Sequence, residues 1–159
     1  MRKTATETRI YRMNIRDRIK ELRRVPATDL LPNPKNWRTH PENQTNALRG
    51  LLAEVGFADA VLARETPDGL QLIDGHLRAE TTGDGIIPVL VLDVSEAEAD
   101  KILASHDPLA AMAGADTGKL EDLLAHLETQ NKAFQELVDS LAEQGPVPRK
   151  TCALFATSG

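Results

Sequence analysis

The chain has 159 residues, 41% apolar, 27% charged and only 3% aromatic. That suits one globular domain with a small appendage. Its longest apolar run, around Ile86–Leu92, is far short of the ~20 residues that span a bilayer, so no membrane partner is expected. No apolar segment follows the basic N-terminus, so a secretory signal is not expected and a cytoplasmic location is the default. The lone Cys152 excludes a disulfide framework and a cysteine-based zinc cluster.

The net charge of −5 is unevenly spread. Residues 1–24 carry +6, with Arg2, Lys3, Arg9, Arg12 and Arg16 among nine basic side chains, and the rest of the chain carries −11. A basic arm on an acidic body suits DNA, because Lys and Arg displace counterions from phosphate. The alternatives are a solvated helix face, or an arm docked on the protein's own acidic surface.

Residues 1–12 lack periodicity and read as a disordered arm. Ile15, Ile19 and Leu22 recur at helical spacing, which predicts a helix from Asn14 to Leu22. Pro26 turns the chain extended, and Leu31-Pro32-Asn33-Pro34 reads as a loop. Thr39-His40-Pro41-Glu42 fits a capping box and predicts a helix ending near Gly56, with Leu48, Leu51 and Leu52 on one face. Short apolar runs at 60–64 and 70–73 around Pro67-Asp68-Gly69 predict a hairpin.

Asp74-Gly75 ends the second strand, and His76 to Thr82 reads as a short helix. Residues 86–93 read as a buried strand. Ser95-Glu96-Ala97-Glu98 opens a helix to about Ser105, and Asp107-Pro108 starts another. Alternating strands and helices predict an α/β or α+β domain with a small mixed sheet and flanking helices.

Leu120, Leu124, Leu127, Asn131, Phe134, Val138 and Leu141 follow a heptad spacing. They predict one C-terminal amphipathic helix over 117–143 and a homodimer through it. The expected boundaries are an arm at 1–12, a domain at 13–115, this helix at 116–144 and a flexible tail at 145–159.

The chemistry concentrates in Leu72-Ile73-Asp74-Gly75-His76-Leu77-Arg78-Ala79-Glu80, a strand, a glycine turn and a helix start. Such a turn exposes unpaired N–H groups to an anion, Gly75 permits close approach, and Arg78 offers a bidentate phosphate contact. His76 and His106 with Asp74 and Asp107 also invite a divalent ion. A histidine at a helix start is more often a hydrogen-bonding cap, so no metal site is assigned. Trp37 with Arg38 could stack a base, but a lone Trp in a small domain is expected in the core, which leaves Arg38 as the ligand contact. His40 belongs to a capping segment and His126 to a solvated helix face.

The Gly75 run resembles the glycine-rich second box of the ParB/sulfiredoxin-like superfamily. Asn33-Pro34-Lys35-Asn36-Trp37-Arg38 resembles its first box, and the elements over residues 22–115 follow the family's order. The wording Asn36-Trp37-Arg38-Thr39-His40 and Asp74-Gly75-His76 is similar to ParB-like domains that precede DNA methyltransferases in phage and bacterial proteins. The resemblance implies a ParB/sulfiredoxin-like fold, DNA as partner, and a DNA methyltransferase as partner or fused domain.

It further implies that CTP or another nucleoside triphosphate, with Mg²⁺, sits on Gly75, His76, Leu77 and Arg78, with Asn36 and Arg38 nearby. His76 stands where the family has an acidic residue, and Leu77 replaces an arginine. The third box falls at Ala104-Ser105-His106-Asp107-Pro108 without its Glu and Asn, which implies binding without efficient CTP hydrolysis. The sulfiredoxin cysteine is replaced by His76, and without a thiolate that chemistry is excluded. The alternative is a nucleotide hydrolase, a kinase or a metal-dependent nuclease using Asp74, His76 and His106.

Overall fold

The computed structural model describes residues 14–144. Three short apolar runs and the more polar segment 19–26 pair, among these residues, into one mixed sheet in the order β1-β4-β2-β3. Strand β1 (Ile19–Pro26) lies antiparallel to β4 (Ile86–Leu92). Strands β2 (Val61–Thr66) and β3 (Gly69–Asp74) form the hairpin, and β2 runs parallel to β4. Among the described residues five α-helices accompany the sheet: α1 (Glu42–Glu54), α2 (His76–Thr82), α3 (Glu96–Ala111), α4 (Thr117–Ala125) and α5 (Lys132–Gln144).

Alternation along the strands sends side chains to two apolar layers. Val61, Ala63, Leu72, Ile87, Val89 and Val91 pack with Ala79 of α2 and with Ala27 and Leu30 after β1. Ile73 and Leu92 face the other way, against Ala99 and Leu103 of α3. β4 has strand partners on both sides, which suits its near-continuous Ile-Ile-Pro-Val-Leu-Val-Leu run. No helix among the described residues is long and apolar enough to cross a membrane.

The helix expected at Asn14–Leu22 is absent. Residues 14–18 have no regular structure, and 19–26 form β1. The ladder pairs Ile19 with Leu92 and Leu22 with Leu90, with a bulge between Ile19 and Glu21. A bulge inserts one extra residue, so Ile19 and Leu22 share a face despite their spacing of three. That spacing imitates a helical repeat.

Helix α1 starts later than its capping box predicts. Pro41 is its N-cap, without a side-chain cap, and its carbonyl accepts from the Thr45 N–H at 3.2 Å. Proline keeps the residue before it extended, which leaves Thr39 outside the helix. Helix α3 runs unbroken through Pro108. Proline costs it one hydrogen bond, to the carbonyl of exposed Ala104, while Ala99 and Leu103 hold the helix to the sheet.

The single C-terminal helix is also corrected: α4 and α5 are separated at 126–131. Asn131 is not a seam residue. Its side-chain carbonyl accepts the Phe134 N–H at 3.0 Å and caps α5. Val138 is buried, and α5 packs back on α1. The homodimer is expected from one overhanging seam; here α5 turns Val138 inward while Leu123 of α4 stays exposed.

The Ser95 capping box forms as predicted, and Glu98 does more than cap. Its carboxylate takes both Arg18 Nη atoms, at 2.8 and 2.9 Å, and the Ser95 N–H at 2.8 Å. These bonds hold Glu98 well below the ordinary carboxylate range, at about 2, the Arg18 side chain being the larger cause. Such a group stabilises the fold above its unfolded value of about 4.3, and the gain is lost as pH falls toward 2. Melting the wild type against Glu98→Gln across pH should show a gap at pH 7 that narrows below about pH 4 and closes toward about pH 2. A gap independent of pH overturns the assignment to this ion pair.

Candidate functional site

The site is built at the end of β3. Gly75 joins β3 to α2 with φ +92°, a left-handed conformation that favours glycine. A Cβ there would lie 2.5 Å from Val61 Cγ1 and 3.2 Å from Val61 Cα, so β2 leaves no room for a side chain. His76, Leu77 and Ala79 bury one side of α2 and leave Arg78 half-exposed. With only two turns, α2 offers a weak dipole, and attraction for an anion falls to side chains.

The loop before α1 is fixed by Asn33, which the sequence marks as a loop residue and, by resemblance, as the start of the first box, but not as a buried one. Asn33 is buried, and its amide donates to the Leu72 carbonyl at 3.0 Å while its Oδ1 accepts the Lys35 N–H at 3.0 Å. Its backbone N–H donates to His76 Nε2 at 3.2 Å. The available signal was the Asn33-Pro34 pair, since asparagine readily bonds nearby backbone.

His76 is therefore a buried acceptor. A nitrogen that accepts an N–H carries no proton, so the neutral ring keeps its proton on Nδ1. Burial pushes His76 below its ordinary value, although the Asp74 carboxylate works the other way. It serves the site as a neutral group, not as a cation.

Both arginines already hold carboxylates. Arg78 Nη2 lies 2.9 Å from Asp59 Oδ2, and its Nη1 donates to the Ala60 carbonyl at 3.4 Å. Arg38 pairs with Asp107 and sits 5.3 Å above the Trp37 ring. Trp37 is not in the core: it is 58% exposed, and its Nε1 donates to the Leu103 carbonyl at 3.3 Å. A ring lying on α3 with an arginine stacked on it stays half in water. Asn36 stays close, its Oδ1 accepting the Arg38 N–H at 3.4 Å.

Asp74, His106 and Asp107 bring ligand atoms within 4.8 Å of one another, with His106 Nε2 at 3.9 Å from Asp74 Oδ2. His76 is not in this cluster. The DNA candidates Arg2, Lys3, Arg9 and Arg12 lie outside the described residues. Arg16 is exposed and 3.9 Å from Glu98, beside Arg18. Lys20 and Arg23 both pair with Glu65, so part of the basic segment rests on the protein's own acids.

A cavity of about 840 Å³ joins these pieces. Asn36, Arg38, Gly75, His76, Arg78 and Asp107 line one part, and residues of α1 and α5 line the rest. The contribution of α5 is not readable from the sequence, because its seam reads equally well as a dimer surface.

The fold is similar to that of the C-terminally truncated chromosome-partitioning protein ParB from Caulobacter crescentus complexed with CTP-γ-S. The TM-score is 0.54 at 23% identity, covering 66% of this chain and 60% of that one. The same protein complexed to the centromeric parS site aligns at TM-score 0.46 and 18% identity, over 77% of this chain and 68% of that one. In sequence, 116 residues are 30% identical to a DNA gyrase subunit of Synechocystis sp., which is 69% of this chain and 13% of that protein. No family model matches. The chain has a ParB-like fold: a mixed sheet of four strands with flanking helices.

Proposed function

We propose that this protein is a nucleotide-binding module that holds the phosphates of CTP or another nucleoside triphosphate at Gly75, Arg78, Arg38 and Asn36. One observation carries the reading. These residues come from two separate segments, the loop before α1 and the β3–α2 junction, and converge on one cavity, whose volume falls in the range of small-molecule sites. The CTP-γ-S complex of a protein with the same fold supports it. The backbone at Gly75 lets an oxygen approach closely, and two guanidinium groups supply the charge once Asp59 and Asp107 let go.

Mg²⁺ fits the residues present. Asp74 and Asp107 are the carboxylates that would hold it together with phosphate oxygens, and the ion would neutralise phosphate charge. Binding without efficient hydrolysis is what the resemblance implies, since the third box at Ala104–Pro108 lacks the family's catalytic Glu and its Asn. A second reading, metal-dependent hydrolysis, is favoured by the Asp74, His106 and Asp107 cluster alone.

DNA remains part of the proposal through the +6 charge of residues 1–24. A role beside a DNA methyltransferase rests only on the wording of Asn36–His40 and Asp74–His76.

The test is a melting panel of CTP, ATP, GTP and UTP with and without Mg²⁺, run beside a phosphate-release assay. A ligand bound only to the native state raises the melting temperature, so at least one triphosphate should do so, with negligible release. Mg²⁺-dependent release that is lost on Asp74→Ala or His106→Ala favours the enzyme instead. No shift with any triphosphate ends the nucleotide reading.

A further inference from the structure

We infer that α5 forms the base-binding half of this cavity, the ring of a nucleotide lying between Leu51 of α1 and Phe134 and Leu137 of α5. The inference rests on the phosphate reading above. Phosphates need only the polar end, yet the cavity extends along α1 to α5. Val138 is buried where α5 meets α1, while Leu51 and Leu137 stay 37% and 42% exposed. Leu51, Phe134 and Leu137 all line the cavity, so two packed helices present apolar surface to an empty space. Asn46 and Ser140 line the same end, and an amide can both donate and accept toward a base edge.

This wall is held in place. Glu54 of α1 accepts the Thr129 hydroxyl, the Gln130 N–H at 3.2 Å and the Asn131 N–H at 2.9 Å. The Asn131 side chain seats on Gly50, where no Cβ fits. An aromatic on one helix and a leucine on another, lining one cavity, offer apolar surface to a flat ring, and stacking tolerates any base.

Calorimetric titration of the full chain with CTP, ATP and inorganic tripolyphosphate separates the two ends. Wild type should bind a nucleoside triphosphate about tenfold or more tighter than tripolyphosphate. Phe134→Leu keeps an apolar side chain on α5 but removes the ring, and Leu137→Ser thins the same α5 wall. Each should weaken the nucleoside triphosphate about tenfold and leave tripolyphosphate nearly unchanged, with melting curves confirming the fold. Equal affinity for both ligands in wild type, or unchanged nucleotide affinity in both variants, overturns the base slot and leaves the phosphate site standing. Failure of wild type to bind either ligand overturns both.

Discussion

Gly75→Ala is expected to destabilise the protein by about 3 kcal/mol, the sum of a strained backbone and an overpacked contact. The position has φ +92°, which an L side chain adopts only at a cost, and the new methyl would meet Val61 on β2. Val61 is fully buried in the central layer, so it has nowhere to move. Gly56, just after α1, supplies the control. It also has positive φ, +85°, but nothing lies within 4 Å of its would-be Cβ. Gly56→Ala should therefore cost only the backbone strain, about 1 kcal/mol. Urea denaturation of both variants decides the matter, and equal losses would show that the Val61 contact is not what demands glycine.

Arg78→Ala should weaken nucleoside triphosphate binding about 10- to 100-fold, as expected for losing charge-assisted hydrogen bonds to phosphate. Asp59→Asn should do the reverse. Asp59 occupies the Arg78 guanidinium at 2.9 Å, so it competes with an incoming phosphate, and removing its charge frees the arginine. Asp59 is well exposed, and such a pair adds little stability, so the variant should melt near the wild type. Titration with CTP in both variants is the measurement. Unchanged affinity in Arg78→Ala, or weaker binding in Asp59→Asn, moves the anion site away from this turn.

The candidate site was half legible in the sequence. Gly75 and Arg78 stand out because a glycine between a strand and a helix start is a local pattern with a local cause. Asn36 and Arg38 were tied to them by resemblance, and the structure brings all four to one cavity. The carboxylates that hold the arginines were hidden. Asp107 is far along the chain from Arg38, and no spacing rule connects a loop to the last turns of a helix. His76 was read with the phosphate ligands, yet its Nε2 is taken by the Asn33 N–H from 43 residues away.

The sequence by itself determined the elements whose signals lie within a few residues. The Pro67-Asp68-Gly69 hairpin, the Ser95 to Glu98 capping box and the apolar run of β4 are closed by their own neighbours. Tertiary structure decided whatever depends on what covers a face. Ile19 and Leu22 show a three-residue spacing that a helix and a bulged strand share, and pairing with β4 chose the strand. The residues from Leu120 to Leu141 show a heptad seam, but Glu54 and Gly50 on α1 receive the loop before α5 and turn that helix back. Spacing records which side chains lie together, whereas the partner that buries them is set by contacts tens of residues apart.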